Sequence, residues 1–123
     1  FGHTFAHGFE RVKNFSYRLN HGEAVILGMM VASDLSNRKK ILPLKELLLI
    51  KKHYISLKLF MNIKNFFRKN DINKIIYFMQ KDKKNFDDKI NLILLNKIGE
   101  TTKPREFSVK TSMLENFLKS YFF

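Results

Sequence analysis

The nine residues from Ala24 to Ala32 are all apolar or glycine, and they directly follow the segment Asn20-His21-Gly22-Glu23. In that segment Asn20 can accept a hydrogen bond from the first turn of a helix, and Glu23 completes a capping box. We therefore predict a helix from His21 to about Ser36. Because it is apolar nearly all round, this helix is expected to be buried. Nine apolar residues are about half of what a bilayer span requires.

The rest of the chain is predicted to be mainly α-helical, with one short strand. A first helix is expected over residues 1–13, with its aromatic residues on one face and three polar residues on the other, namely His3, His7 and Glu10. Further helices are expected with Pro43 in the first turn, over Ile72 to Met79, and at the C-terminus behind a second capping box of Ser112 and Glu115. Residues 89–95, which Gly99 follows, are short and rich in Ile and Leu. This favours a strand, although a buried helical turn has the same pattern.

The composition indicates a single domain and excludes several kinds of site. The 123 residues are 45% hydrophobic and include no cysteine, which excludes disulfides and thiolate metal ligands. Lys and Arg number 23 against 11 Asp and Glu, but 18 of the 23 are Lys, and the aromatic residues fall at core spacing. Nucleic-acid binders usually place basic and exposed aromatic residues together. With no visible signal peptide, we expect a cytoplasmic protein without nucleic-acid or membrane partners.

Three of the four histidines lie within the first 21 residues. His3 and His7 are four residues apart and share one helix face. His21 is expected at the first position of the next helix, whose positive end disfavours imidazolium and leaves the ring able to bind a metal. Two neutral imidazoles, a carboxylate and an open position describe a catalytic zinc site. The alternative is that these are core or capping histidines; His53 is expected to be exposed.

The segments around these histidines resemble a known family. Residues 1–10 read FGHTFAHGFE and residues 19–29 read LNHGEAVILGM. They resemble the signature G-H-T-x-x-H-x-x-E … H-G-E-A-V-x-x-G-M of the 3-dehydroquinate synthase family, the zinc- and NAD-dependent members of the sugar-phosphate cyclases. The resemblance continues at residues 81–84, which are similar to the D-K-K run of the family, and at residues 91–99. It covers nearly the whole chain, with small departures at Ala6, Gly8 and Phe9.

The resemblance implies a metal site. The histidines of G-H-T and of H-G-E ligate zinc in the family, so His3 and His21 are the expected ligands of Zn²⁺ or another divalent metal. The third family ligand is a glutamate upstream of the residues present here. Glu10 and Glu23 match the signature, but a helix-face hydrogen bond and a helix cap are the favoured interpretations of these two side chains.

The resemblance also implies substrate-binding residues. His7 matches the second histidine of the signature, which contacts the substrate near its phosphate and helps to move protons. A lysine of the D-K-K run binds the phosphate, and the sequence leaves Lys83 and Lys84 as equal candidates for this role.

The implied protein is a carbon–oxygen lyase of the shikimate pathway, which leads to the aromatic amino acids. It would convert 3-deoxy-D-arabino-heptulosonate 7-phosphate to 3-dehydroquinate with loss of phosphate. Residues 1–123 would be its helical C-terminal metal- and substrate-binding domain, a fragment that lacks the N-terminal NAD-binding domain and is inactive alone; the full-length protein would be a homodimer. Two alternatives stay open. One is another sugar-phosphate cyclase, of the aminated dehydroquinate or 2-deoxy-scyllo-inosose type, and the other is a non-enzymatic basic binding module.

Overall fold

The computed structural model describes residues 1–13, 19–82, 88–103 and 106–122. These residues form five α-helices, which are α1 His3–Val12, α2 His21–Arg38, α3 Leu44–Ser56, α4 Ile72–Asp82 and α5 Thr111–Lys119. They also form four short strands, β1 Lys89–Leu92, β2 Leu95–Lys97, β3 Glu100–Thr101 and β4 Phe107–Lys110, and three 3₁₀ helices, Ile63–Asn65, Lys69–Asp71 and Ser120–Phe122. The prediction of a mainly helical fold is confirmed.

Helix α1 packs against both α2 and α4 and supplies the centre of the core. Its Phe5 and Phe9 are fully buried, and the ring of Phe9 lies 5.2 Å from that of Phe67. Gly8 allows the close approach of α4, because a β-carbon there would lie 3.0 Å from the carbonyl oxygen of Ile75. The predicted aromatic core face of the first helix is confirmed.

Helix α2 begins at His21, as predicted, and runs on to Arg38, with no exposed side chain over residues 24–37. Its buried residues alternate with half-buried ones such as Val25, Ile26 and Met29. The expectation of a helix that is buried nearly all round is therefore confirmed for residues 24–37, within the part of the chain that the structure describes. Within that part, no helix is long and apolar enough to cross a membrane.

The strand expected over residues 89–95 is two strands in two different sheets. β1 pairs antiparallel with β4, with Ile90 opposite Val109, whereas β2 pairs with β3 across a turn at Gly99. Between β1 and β2, the backbone N–H of Leu94 donates to the hydroxyl of Thr102 at 2.9 Å, and the N–H of Thr102 donates back to the Leu94 carbonyl at 2.9 Å. These bonds hold the chain where it passes from one sheet to the other.

The C-terminal helix starts differently from its prediction. α5 begins at Thr111, with Lys110 at the N-cap in an extended conformation and without a side-chain cap. The backbone N–H of Thr111 donates to the Asp88 carbonyl, so the end of β4 determines where the helix starts. The predicted capping box of Ser112 and Glu115 is therefore wrong, because Ser112 lies inside the first turn.

Candidate metal and substrate site

Helix α1 carries two neighbouring histidines opposite its buried aromatic face. Gly2 precedes the helix in a left-handed conformation, with φ of 79°, and α1 begins at His3. The ring centroids of His3 and His7 lie 4.2 Å apart at an interplanar angle of 49°. His3 is exposed and His7 is half-buried. The predicted placement of both rings on one face of the helix is confirmed.

The third histidine stands at the start of α2, where the predicted capping box is formed. The side chain of Asn20 accepts from the backbone N–H of Glu23 at 2.8 Å, and the Glu23 carboxylate accepts from the N–H of Asn20 at 3.1 Å. These two bonds fix the first turn, and with it the backbone of His21. The cap interpretation of Glu23 is confirmed.

The side chain of Glu10 connects the two helices at the site. Nδ1 of His21 lies 3.1 Å from each of the two carboxylate oxygens of Glu10. The Glu10 side chain is only 8% exposed, whereas the His21 side chain is 70% exposed. The expectation that Glu10 makes a hydrogen bond is confirmed, but its partner was not predicted. The one signal in the sequence was that helical spacing places Glu10 on the stripe of His3 and His7.

Two of these side chains are of a type that binds divalent metals. When Nδ1 of His21 carries the proton that Glu10 accepts, the lone pair of the neutral ring is on Nε2. His21 and His3 thus offer imidazole nitrogens on exposed rings, as a zinc site requires. Among the described residues, no three His, Asp or Glu side chains form a group that could hold a metal ion. The assignment of His3 and His21 as metal ligands therefore stays a prediction from the sequence.

The two lysines predicted to bind phosphate, Lys83 and Lys84, lie outside the described residues. Helix α4 ends at Asp82, directly before them in the sequence. The preceding Lys81 is exposed, and its ammonium lies 4.8 Å from the centroid of the Tyr77 ring. The predicted phosphate site therefore stays a prediction from the sequence motif.

A second polar cluster lies apart from the histidines. The Tyr121 hydroxyl donates to Oδ2 of Asp34 at 2.5 Å, and Nζ of Lys51 lies 3.0 Å from Oδ1. Burial raises the pKa of the Tyr121 phenol, and the negative charge of Asp34 raises it further. The cluster borders a cavity of about 140 Å³, and α1 contributes none of the described residues that line it. Through these contacts the cluster links Tyr121, which follows α5, to Asp34 of α2 and Lys51 of α3.

Comparison with known proteins points to one family for most of the chain. Residues 1–85 match the model of the family described as 3-dehydroquinate synthase C-terminal. A 3-dehydroquinate synthase from Pelagibacter ubique is 50% identical over 119 residues, which cover 97% of this chain and 32% of the relative. A 3-dehydroquinate synthase from Chlorobaculum tepidum is 34% identical, over 94% of this chain and 31% of the relative. The chain thus spans about a third of the length of these relatives.

Among solved structures, a 2-deoxy-scyllo-inosose synthase complexed with carbaglucose-6-phosphate, NAD⁺ and Co²⁺ superposes with a TM-score of 0.71. The sequence identity is 23%, and the alignment covers 97% of this chain and 32% of the other. At this identity the similarity shows a shared fold. A second 2-deoxy-scyllo-inosose synthase structure gives a TM-score of 0.69 at 20% identity.

Proposed function

The chain belongs to the 3-dehydroquinate synthase C-terminal family, and from this membership we propose that it forms the metal- and substrate-binding part of a 3-dehydroquinate synthase. The enzyme would convert 3-deoxy-D-arabino-heptulosonate 7-phosphate to 3-dehydroquinate with loss of phosphate, a lyase step in aromatic amino acid biosynthesis. One observation carries the proposal: the matched region includes His3, His7 and His21, and all three rings are exposed or half-buried on two packed helices. Histidines that only filled the hydrophobic core would instead be fully buried.

We assign the metal to His3 and His21, with Zn²⁺ as the first candidate and other divalent ions as alternatives. Bound there, the metal would polarise the substrate oxygen that becomes a carbonyl and acidify the neighbouring C–H bond. Because the described residues do not bring three His, Asp or Glu side chains into one group, the remaining ligand is assigned to another part of the enzyme. Asn20 and Glu23 form the N-terminal cap of α2.

The substrate contacts are assigned to His7 and to one of the two lysines after α4. His7 lies beside His3 on the same face, so a substrate bound at the metal would lie within reach of its ring, where it would hold or transfer a proton. Lys83 or Lys84 would bind the phosphate dianion through a charge-assisted hydrogen bond. The assignment of this role to Lys83 or Lys84 rests on the sequence motif alone.

The nucleotide is assigned to a part of the enzyme outside this chain. The sequence contains no Gly-rich dinucleotide-binding loop, so NAD would be bound by an N-terminal domain, and the present residues alone would be inactive. The complete enzyme is proposed to be a cytoplasmic homodimer. Its mass in solution, measured by light scattering, tests the oligomeric state.

The decisive experiment supplies the complete enzyme with NAD⁺, Zn²⁺ and one of three substrates, and measures phosphate release together with the carbocyclic product. Turnover of 3-deoxy-D-arabino-heptulosonate 7-phosphate alone is the expected result.

The shared fold with 2-deoxy-scyllo-inosose synthase favours a second candidate, another sugar-phosphate cyclase. Turnover of glucose 6-phosphate instead would establish that type, and turnover of an aminated heptulosonate analogue would establish the aminated dehydroquinate type. An enzyme that binds no metal and converts none of these substrates would favour a basic binding module.

A further inference from the structure

Glu10 is a buried carboxylate whose hydrogen bond goes to an exposed ring. It lies in the last turn of α1, with its side chain 8% exposed, and both of its oxygens lie 3.1 Å from Nδ1 of His21. Burying a carboxylate is costly unless it is hydrogen-bonded or paired with a charge. Here the hydrogen-bond partner that stabilises the buried Glu10 carboxylate is the ring of His21, a side chain that is itself 70% exposed.

Such a contact restricts the ring in two ways. Since the two oxygens are equidistant from Nδ1, the imidazole is held at one edge and its rotation is limited. The carboxylate also favours the tautomer with the proton on Nδ1, which leaves the lone pair on Nε2. Metal-binding histidines commonly donate their second N–H to a carboxylate in this way, and the carboxylate strengthens the ligand.

We propose that Glu10 is a positioning residue for metal binding: it fixes the orientation and the tautomer of His21 so that Nε2 is the ligand atom. This inference rests on the proposed function, in which His21 holds the metal. The opposing explanation is a purely structural one, because the same contact joins the end of α1 to the start of α2. The two explanations differ in what they predict for metal affinity.

The test uses the complete apoenzyme and two substitutions, Glu10→Ala and Glu10→Gln. The dissociation constant for Zn²⁺ is measured by competition with a chromophoric chelator, and the thermal midpoint of the apoenzyme is measured beside it. Loss of a carboxylate behind a metal-binding histidine typically weakens metal affinity by about 10- to 100-fold, which is the expectation for Glu10→Ala. Glu10→Gln should fall between it and the wild type, because the amide oxygen still accepts from Nδ1–H but carries no charge.

Glu23→Gln is the matched control. It removes one negative charge two residues from His21, and its amide oxygen can still accept from the N–H of Asn20. The Glu23 carboxylate is half-buried and accepts from the backbone N–H of Asn20, so a change of its charge that keeps this bond should alter the Zn²⁺ affinity by no more than about 2-fold. An effect of Glu10→Gln well beyond that of Glu23→Gln then reports the contact with His21 and not the loss of charge alone.

Each outcome decides between the explanations. If both Glu10 variants lower the thermal midpoint but keep the wild-type Zn²⁺ affinity, while His21→Ala loses it, Glu10 is structural and the positioning role is wrong, although the proposed function stands. If the wild type binds no Zn²⁺, or His21→Ala binds it normally, the proposed metal site fails and the positioning role fails with it. Should Glu10→Ala not fold, Glu10→Gln, which has nearly the same shape, carries the test.

Discussion

Gly28 of α2 lies directly against Gly2, the residue before α1. A β-carbon at Gly28 would stand 2.5 Å from the carbonyl oxygen of Gly2, and a β-carbon at Gly2 would stand 2.8 Å from the carbonyl carbon of Gly28. Real β-carbons do not approach backbone atoms so closely, so both positions require glycine. Because His3 follows Gly2, this contact also determines where the first histidine lies relative to α2.

We expect Gly28→Ala to destabilise the folded protein by about 1–3 kcal/mol, the usual cost of an overpacked site. The clash is with backbone, which cannot rotate away. Urea unfolding of the complete enzyme, followed by circular dichroism, measures the change. The control is Gly22→Ala, whose β-carbon would meet the Asn20 side chain at an ordinary 3.5 Å and should change stability by less than about 1 kcal/mol. Equal stability of the two variants would show that the helices do not approach at Gly28.

The pair of Tyr121 and Asp34 predicts a loss of stability at high pH. Burial and the Asp34 charge raise the pKa of the phenol in the folded state. Above pH 10 the unfolded chain therefore loses this proton while the folded chain keeps it, and unfolding becomes easier as pH rises. The free energy of unfolding should fall by up to about 1.4 kcal/mol per pH unit for this group.

Tyr121→Phe removes this contribution, so its stability should decline less steeply than that of the wild type between pH 9 and 11. Burial also raises the pKa of Tyr54, but Tyr54 is present in both proteins and cancels in the comparison. Urea titrations at fixed pH values provide the two slopes. Parallel slopes would mean that Tyr121 is not buried against Asp34.

Features that depend on neighbours in sequence could be predicted, and features that depend on distant contacts could not. The capping box of Asn20 and Glu23 was predicted and is formed, because both of its bonds span three residues. The same pattern at Ser112 fails because the pairing of β4 with β1, a distant contact, sets the N-cap of α5 two residues earlier, at Lys110.

In the candidate site, too, the features set by sequence neighbours could be predicted and those set by distant contacts could not. The sequence places His3 and His7 on one face of a helix and His21 at the start of the next, because these positions follow from helical periodicity and capping. It does not reveal that Glu10 reaches His21, eleven residues away, since that contact depends on how α1 and α2 pack. The helix packing in turn depends on the contact between Gly2 and Gly28, which appears in the motif only as two glycines.

One of Lys83 and Lys84 is expected to bind the substrate phosphate. Replacing that lysine with Met keeps an unbranched apolar stem but removes the charge. The loss of a charge-assisted hydrogen bond of about 1.5–3 kcal/mol should lower kcat/KM by roughly 10- to 150-fold. The other lysine should tolerate the same change within a few-fold, so each serves as the control for the other. Steady-state kinetics of the two single variants measure this. Unchanged kcat/KM in both variants would remove the phosphate site from the D-K-K run.

His3→Ala and His21→Ala should each abolish metal binding and activity together. A site with three protein ligands has no ligand to spare, so the loss of either imidazole should release the ion. Metal content after dialysis, measured by inductively coupled plasma mass spectrometry, is compared with turnover. His53→Ala, which changes an exposed histidine that matches no part of the signature, is the control and should keep both. Full metal occupancy in either site variant would refute the assignment.

The same measurements of metal content and turnover should distinguish His7 from the two metal ligands. If it contacts the substrate and moves protons, His7→Ala should retain the metal but lower kcat by roughly 10²-fold or more. Because its ring lies 4.2 Å from that of His3, removing it could also let His3 move. His7→Phe is therefore examined beside it, since phenylalanine keeps a ring in that place but can neither donate nor accept a proton. Metal retained and turnover lost in both variants is the expected result. Metal lost in both would mean that His7 is itself a ligand and that the histidines are wrongly paired.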